Sequence, residues 1–87
     1  MLDPQLQEQL AAEVHQRFLG ALAAADARPG SFRLGVTPLA EETGGFLIEV
    51  VREGSPAFRH EVGEVPLDAT LGEVARMAVK QLELSDT

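Results

Sequence analysis

Residues able to do acid–base, nucleophilic or metal chemistry are few and scattered along this 87-residue chain. There is no cysteine, so thiolate catalysis, disulfides and cysteine-based metal sites are excluded. Neither His15 nor His60 has a second histidine or a carboxylate at a spacing that would complete a metal site, so we predict no metal and no cofactor. We expect His15 to be a boundary residue with one hydrogen bond. We expect His60 to pair on a sheet with a carboxylate such as Glu61 or Glu64.

The acidic and hydroxyl side chains give no catalytic arrangement either. Glu41 and Glu42 fall in a glycine-rich loop, which supplies neither the burial nor the fixed geometry that a general acid and base need. Ser31 and Ser55 lie in predicted turns, without the strand–turn–helix context of a serine nucleophile. No phosphate-binding glycine motif occurs, and Gly44-Gly45 predicts a flexible hairpin loop. The sequence therefore predicts a protein that is not an enzyme.

The charge balance narrows the range of partners. Fourteen acidic residues oppose seven basic ones, for a formal net charge of −7. This field repels phosphates and attracts basic protein surfaces, so nucleic acid and anionic membranes are disfavoured partners. The alternative is that the acidity only confers solubility, as it does in many small bacterial domains. The chain also lacks a signal-peptide-like start and an apolar segment near the ~20 residues of a membrane span, so we predict a cytoplasmic protein.

The first predicted element is a long helix. Asp3-Pro4 supplies a capping side chain and a proline suited to the first helical position, and Arg28-Pro29-Gly30 ends the pattern near residues 25–27. Some 22 helical residues span about 33 Å, whereas a strand of six or seven residues covers about 20–23 Å. The first turns are therefore expected to overhang the sheet as a candidate contact surface. The apolar stripe comprises Leu6, Leu10, Val14, Phe18, Ala21, Leu22 and Ala25.

Three short strands with alternating polarity follow, over residues 32–37, 46–52 and 57–62. Leu47 and Val51 fall on the face opposite the core, where a solvated sheet would be polar. The side chains predicted on the core face are Phe32, Leu34, Val36, Phe46, Ile48, Val50, Phe58, His60 and Val62.

A second helix is predicted to begin in residues 68–73. Thr70 and Glu73 have the spacing of a capping box, in which each side chain serves a free backbone N–H. Glu73, Arg76, Lys80 and Glu83 form a solvated face of mixed sign. Residues 84–87 are expected to fray.

Residues 1–87 are therefore predicted to be a single α+β domain with the order α-β-β-β-α, in which two helices pack on one face of a three-stranded antiparallel meander. This order resembles that of the double-stranded RNA-binding domain over most of the chain. That family presents a basic cluster at the start of its second helix, whereas the same stretch here is Asp68-Ala69-Thr70-Leu71-Gly72-Glu73. The resemblance thus implies the arrangement of helices and strands, and no nucleic-acid-contacting residue is transferred.

The function predicted from these features is a small non-enzymatic protein–protein interaction module. It would form a homodimer or dock on a partner protein through the exposed sheet face or the overhanging helix start. Leu47 and Val51 would be the apolar anchors of the sheet face, and Arg33 and Arg59 would frame them.

Two alternatives remain open. The first is an acidic inhibitor or immunity-type protein that blocks a basic site on a nuclease, a toxin or a nucleic-acid-handling complex; its binding would weaken steeply as salt rises. The second is a degenerate domain of the double-stranded RNA-binding shape. The carboxylates that would carry the first alternative are Glu41, Glu42, Glu61, Glu64 and Asp68.

Overall fold

A computed structural model describes residues 4–39, 44–63 and 66–85 as two helices and a three-stranded antiparallel sheet. The predicted order α-β-β-β-α is confirmed, and most boundaries agree to within one or two residues. The strands lie in the order β1-β2-β3, so β2 is central and β1 and β3 are edges. The elements are α1 (Pro4–Ala24), β1 (Arg33–Pro38), β2 (Phe46–Val51), β3 (Phe58–Val62) and α2 (Asp68–Leu82).

The sheet has one buried face, and the predicted alternation of side chains is correct. Along β2 the side chains of Phe46, Ile48 and Val50 are buried, and those between them are half-buried. Ile48 is paired with Val36 of β1 and with His60 of β3, so the core positions of all three strands align. Both helices contribute to the same core. They form a single layer, so they cover only one of the two faces of the sheet.

The core is closed by one stripe from each helix. Phe18 and Leu22 of α1 are completely buried, as are Ala75 and Ala78 of α2. Leu71, at 1% exposure, extends the α2 stripe toward its start. These apolar side chains recur at spacings of three and four, which is the period that keeps a helical stripe on one side.

The loop between β1 and β2 depends on Gly45 for close packing, and not for flexibility alone. Gly45 is buried and has a φ of +84°, in the left-handed region that favours glycine. A Cβ there would lie 2.1 Å from the carbonyl oxygen of Val62. Gly45 also accepts a hydrogen bond from the N–H of Leu39 at 3.0 Å. The predicted hairpin connection between β1 and β2 is confirmed, and Gly45 is closely packed at its end.

Helix α1 ends in a Schellman motif. Asp26 adopts the left-handed conformation with φ 65°, and its N–H donates to the oxygen of Ala23 at 3.1 Å. The N–H of Ala27 donates to the oxygen of Leu22 at 3.0 Å, which is the long bond that defines the motif. The side chain of Ala27 is then buried, so the chain leaves the helix pressed against the core.

Helix α2 also ends in a left-handed residue, and the contacts that follow overturn the prediction of fraying for residues 84 and 85. Glu83 is left-handed with φ 54°, and the N–H of Leu84 donates to Val79 at 3.0 Å. Leu84 is only 1% exposed, and Ser85 forms a main-chain bridge with Ala27. Burial of the leucine and the bridge together hold the segment; residues 86 and 87 lie outside the described part of the chain.

The predicted capping box of α2 is also wrong. The helix begins at Asp68, and the cap position is Leu67, which has no side-chain capping bond. Thr70 is already the third helical residue, too late for its hydroxyl to serve the free N–H groups before it. The start of α2 is held from outside instead, by the guanidinium of Arg17.

Arg17 thus pairs across to the start of α2, and not with Glu13, which lies four residues before it on α1. Its Nη2 lies 2.6 Å from Oδ1 of Asp68 and donates to the carbonyl oxygen of Pro66 at 2.8 Å. Two acceptors at one site fix the planar guanidinium better than one exposed carboxylate can. Asp68 is 90% exposed, so the ion pair itself contributes no more than about 1 kcal/mol.

Candidate interaction surfaces

The outer sheet face is the side of the sheet away from both helices. Leu47 lies between Thr37 and Glu61 in the pairing register, and Val51 lies opposite Arg33. The two apolar side chains are half-buried. The residues of this face are Arg33, Gly35, Thr37, Leu47, Glu49, Val51, Arg59 and Glu61.

An ion pair divides the outer sheet face. Glu49 is paired across the strands with Arg59, whose Nε donates to Oε2 of Glu49 at 2.6 Å. Glu49 stands between Leu47 and Val51, which are four residues and about 13 Å apart along the strand. The structure therefore brings Arg33 beside Val51 and directs Arg59 to Glu49. The two apolar anchors do not form one continuous patch.

The predicted acidic residues are not gathered into one site by the described part of the chain. Glu41, Glu42 and Glu64 lie outside the described residues. Glu61 is exposed on the outer sheet face, whereas Asp68 is bound to Arg17. Of this set, Glu61 is thus the carboxylate that the structure shows available to a basic partner.

The second candidate interaction surface is the α1 overhang, which comprises residues 5–10. It was predicted from the length of the helix relative to the strands. Leu6 and Leu10 are 46% and 37% exposed. The buried side chains of α1 include Val14 at 4% exposure and Phe18 and Leu22 at 0%. At 100° per residue, Leu10 and Leu6 lie about 80° and 120° around the helix axis from Phe18, so they flank the buried face of α1 and are exposed.

The edge strand β1 is partly protected by α1. The Nε2 of His15 donates to the main-chain oxygen of Leu34 at 3.3 Å, which confirms the single hydrogen bond expected for a boundary histidine. A shallow apolar groove of about 350 Å³ runs between the helix and this strand, past Leu19 and Phe32. Because the imidazole of His15 bonds a main-chain oxygen of this edge strand, it discourages pairing with a further strand.

His60 does not form the predicted pair with a carboxylate among the described residues. Its ring is stacked on that of Phe58, with centroids 6.3 Å apart and planes 5° from parallel. The ring is half-buried on the core side of β3, whereas Glu61 points to the other face. In residues 4–39, 44–63 and 66–85, no three histidines or carboxylates are grouped so that they would hold a metal ion.

Neither described helix has the length and hydrophobicity that crossing a bilayer requires. Comparison with known proteins gives no similar protein: no family model, no curated protein and no solved structure matches the chain. The surfaces therefore carry the functional argument without support from relatives.

Proposed function

We propose that this chain is a small non-enzymatic interaction module that self-associates through the α1 overhang. The observation that carries the proposal is a pair of exposed leucines one turn apart at the start of α1, Leu6 at 46% and Leu10 at 37% exposure. An isolated helix gains little from a leucine that faces water, because most helical stability comes from packing an apolar face. A second copy would supply the missing contact.

Charge favours this surface over others for self-association. The chain has a net charge of −7, so two copies repel each other wherever acidic surfaces meet. Residues 4–12 carry one charged side chain, Glu8, among glutamines, alanines and leucines. A contact made there brings few like charges together. A basic partner protein, in contrast, would be attracted to the acidic surfaces elsewhere on the molecule.

The geometry suits a twofold pairing of helices. Leu6 and Leu10 are one helical turn apart and so lie on one side of α1. In an antiparallel pair related by a twofold axis, Leu6 of one copy packs beside Leu10 of the other, and each contact occurs twice. Complete burial of a leucine is worth about 1.5–3 kcal/mol, so four partly exposed leucines support a weak dimer after the cost of association.

The test is the solution mass, measured by light scattering at micromolar and at millimolar protein concentration. We expect the wild type to dimerise as concentration rises, and the dimer to persist at high salt because the contact is apolar. The double variant Leu6→Gln/Leu10→Gln should stay monomeric, since glutamine keeps the helix and removes the apolar contact. A wild-type chain that is monomeric throughout contradicts the proposal.

Met77→Gln is the matched control for that experiment. Met77 is 44% exposed on α2, close to the exposure of Leu6, but it lies on the other helix. The control should dimerise as the wild type does. If it also becomes monomeric, the contact is not specific to the α1 overhang.

The outer sheet face is a second candidate for the same function, favoured by the half-exposed side chains of Leu47 and Val51 on an otherwise polar surface. Leu47→Asp should abolish association if this face makes the contact, while the domain stays folded. Loss of the dimer in Leu47→Asp with retention in Leu6→Gln/Leu10→Gln would assign the contact to the sheet. A complex with a basic partner that dissociates as salt rises would instead support the acidic inhibitor.

A further inference from the structure

The basic cleft is an open depression of about 620 Å³ beside the C-terminal ends of both helices and the end of β2. It lies at the opposite end of α1 from the overhang. Four of the seven basic residues in the chain line it, whereas Glu83 is the acidic residue on its described wall. The basic residues are Arg28, Arg52, Arg76 and Lys80.

Separate elements bring these cations together. Arg76 and Lys80 are one turn apart on α2, and Arg52 directly follows β2. Arg28 begins a tight turn in which the N–H of Ser31 donates to its carbonyl oxygen at 3.2 Å. Proline and a left-handed glycine, Gly30 with φ 80°, occupy the middle of this turn as a type II turn requires.

Arg52 is held in place by the end of α2. Its Nη1 donates to the carbonyl oxygens of Leu82 and Glu83, the latter at 3.0 Å. This bond pattern offsets the partial negative charge of the helix end, which would otherwise repel an anion. The Nε and Nη2 groups of Arg52 make no hydrogen bond to the described residues. That edge of a guanidinium is the one that binds an oxyanion with two parallel hydrogen bonds.

Arg76 and Lys80 are available to an external anion. Like Arg33, neither side chain forms an ion pair or hydrogen bond with a described residue, whereas Arg17 and Arg59 are both paired. Like charges one turn apart on a helix repel each other. In a chain with twice as many acids as bases, this concentration of cations is conspicuous. The sequence shows Arg76 and Lys80 only as part of a solvated face, because Arg28 and Arg52 come from distant segments.

We propose that the basic cleft binds a small molecule carrying two or more phosphate groups. Its volume is within the range of about 300–1,000 Å³ typical of small-molecule sites. Phosphates match arginine forks and the point charge of lysine, and several linked phosphates would engage cations from more than one element. None of the described residues lining the cleft is aromatic, so nothing there would stack on a ring. The phosphates, and not the group they are attached to, would be recognised.

Calorimetric titration of the full chain with pyrophosphate, at constant ionic strength, tests the proposal. We expect saturable binding, and at least a tenfold loss of affinity in Arg76→Ala/Lys80→Ala. Arg33→Ala/Arg59→Ala changes the net charge by the same amount on the outer sheet face and should stay within threefold of the wild type. Absence of saturable binding, or an equal loss in both double variants, overturns the proposal. Citrate binding more tightly than pyrophosphate also overturns it.

Two further variants keep the test decisive. Arg52→Lys keeps the charge but removes the fork, so we expect affinity to fall about fivefold while the backbone amide shifts of Ser85 and Val79 still respond to pyrophosphate. Unchanged affinity in Arg52→Lys would overturn the role of the guanidinium edge. Asp86→Asn removes an acidic side chain that follows Ser85, outside the described residues. Binding by Asp86→Asn alone, and not by the wild type, would mean that the chain supplies its own anion and would overturn an external ligand.

Discussion

At its C-terminal end α1 is enclosed by α2, the sheet and the returning main chain of residues 84 and 85, whereas at its N-terminal end Leu6 and Leu10 face water. Leu22 and Leu6 are the same residue type on one helix, and their exposures are 0% and 46%. At 100° per residue they lie about 160° apart around the helix axis, so Leu22 faces the core and Leu6 faces away from it. The layer opposite differs as well, because Gln7, on the core-facing side of the first turns, is only half-buried.

The difference teaches that burial in a small domain is limited by the shortest layer. Strands of five or six residues cover about 20 Å at most, whereas the 21 residues of α1 extend over about 31 Å. One end of the helix must then lack a layer. The chain places its turns, bridge and cationic side chains at the covered end and leaves a nearly uncharged helix at the other.

The largest effect should come from Leu22→Ala at the covered end. Leu22 is completely buried, so the loss of free energy of unfolding is expected in the upper part of the range of about 2–5 kcal/mol for such truncations. Urea denaturation measures it. A loss below about 1 kcal/mol would mean that the two ends of α1 differ less than their exposures indicate.

Leu84→Ala should be the next most damaging substitution. Leu84 is 1% exposed and follows the left-handed residue that ends α2, so its side chain fixes the path of residues 84 and 85. We expect a loss in the lower half of about 2–5 kcal/mol, since Leu84 lies outside the helices and strands and its segment can relax into the space left. Faster amide exchange at Arg28, whose N–H donates to Leu84 at 2.7 Å, should accompany it. Unchanged exchange there would contradict the link between the two helix ends.

Glu83→Gly should stabilise the covered end by about 1 kcal/mol, because glycine adopts the left-handed conformation without the steric cost that glutamate carries. It also removes a negative charge from the negative end of α2. Thermal unfolding measures the sum, and Glu83→Gln isolates the charge. If glutamine stabilises as much as glycine, backbone strain contributes nothing at this position.

The smallest effect should come from Leu6→Ala at low protein concentration, where we expect a change within about 0.5 kcal/mol. At high concentration the wild type should gain stability from self-association, and Leu6→Ala should not. The dependence of the unfolding temperature on concentration for the two chains is the measurement. An equal dependence would place the self-association contact elsewhere.

Local patterns were enough to predict the architecture. Alternation in Phe46, Ile48 and Val50 identified the core face of β2, and helix length against strand length predicted the α1 overhang. The errors arose where tertiary contacts override local chemistry. Thr70 has the spacing of a cap, but the start of α2 is set by Arg17 from another helix.

The basic cleft was beyond sequence reasoning for the same reason. Arg28, Arg52 and Arg76 follow one another at intervals of 24 residues in the chain. No spacing rule for helices or strands relates residues at such distances. They meet because the end of β2 and helix α2 pack beside the end of α1. The one available signal was Arg76 and Lys80, two cations one turn apart on the second helix.

The bridge between Ala27 and Ser85 has a consequence for how the chain folds. The strands of the sheet pair only with their neighbours in sequence, so these contacts close short loops and form early. The bridge closes a long loop that contains the whole sheet and α2. The conformational entropy of that loop is lost in the step in which the two helix ends meet. Folding should therefore end at this point, with the Arg28 amide among the last to gain protection from hydrogen exchange.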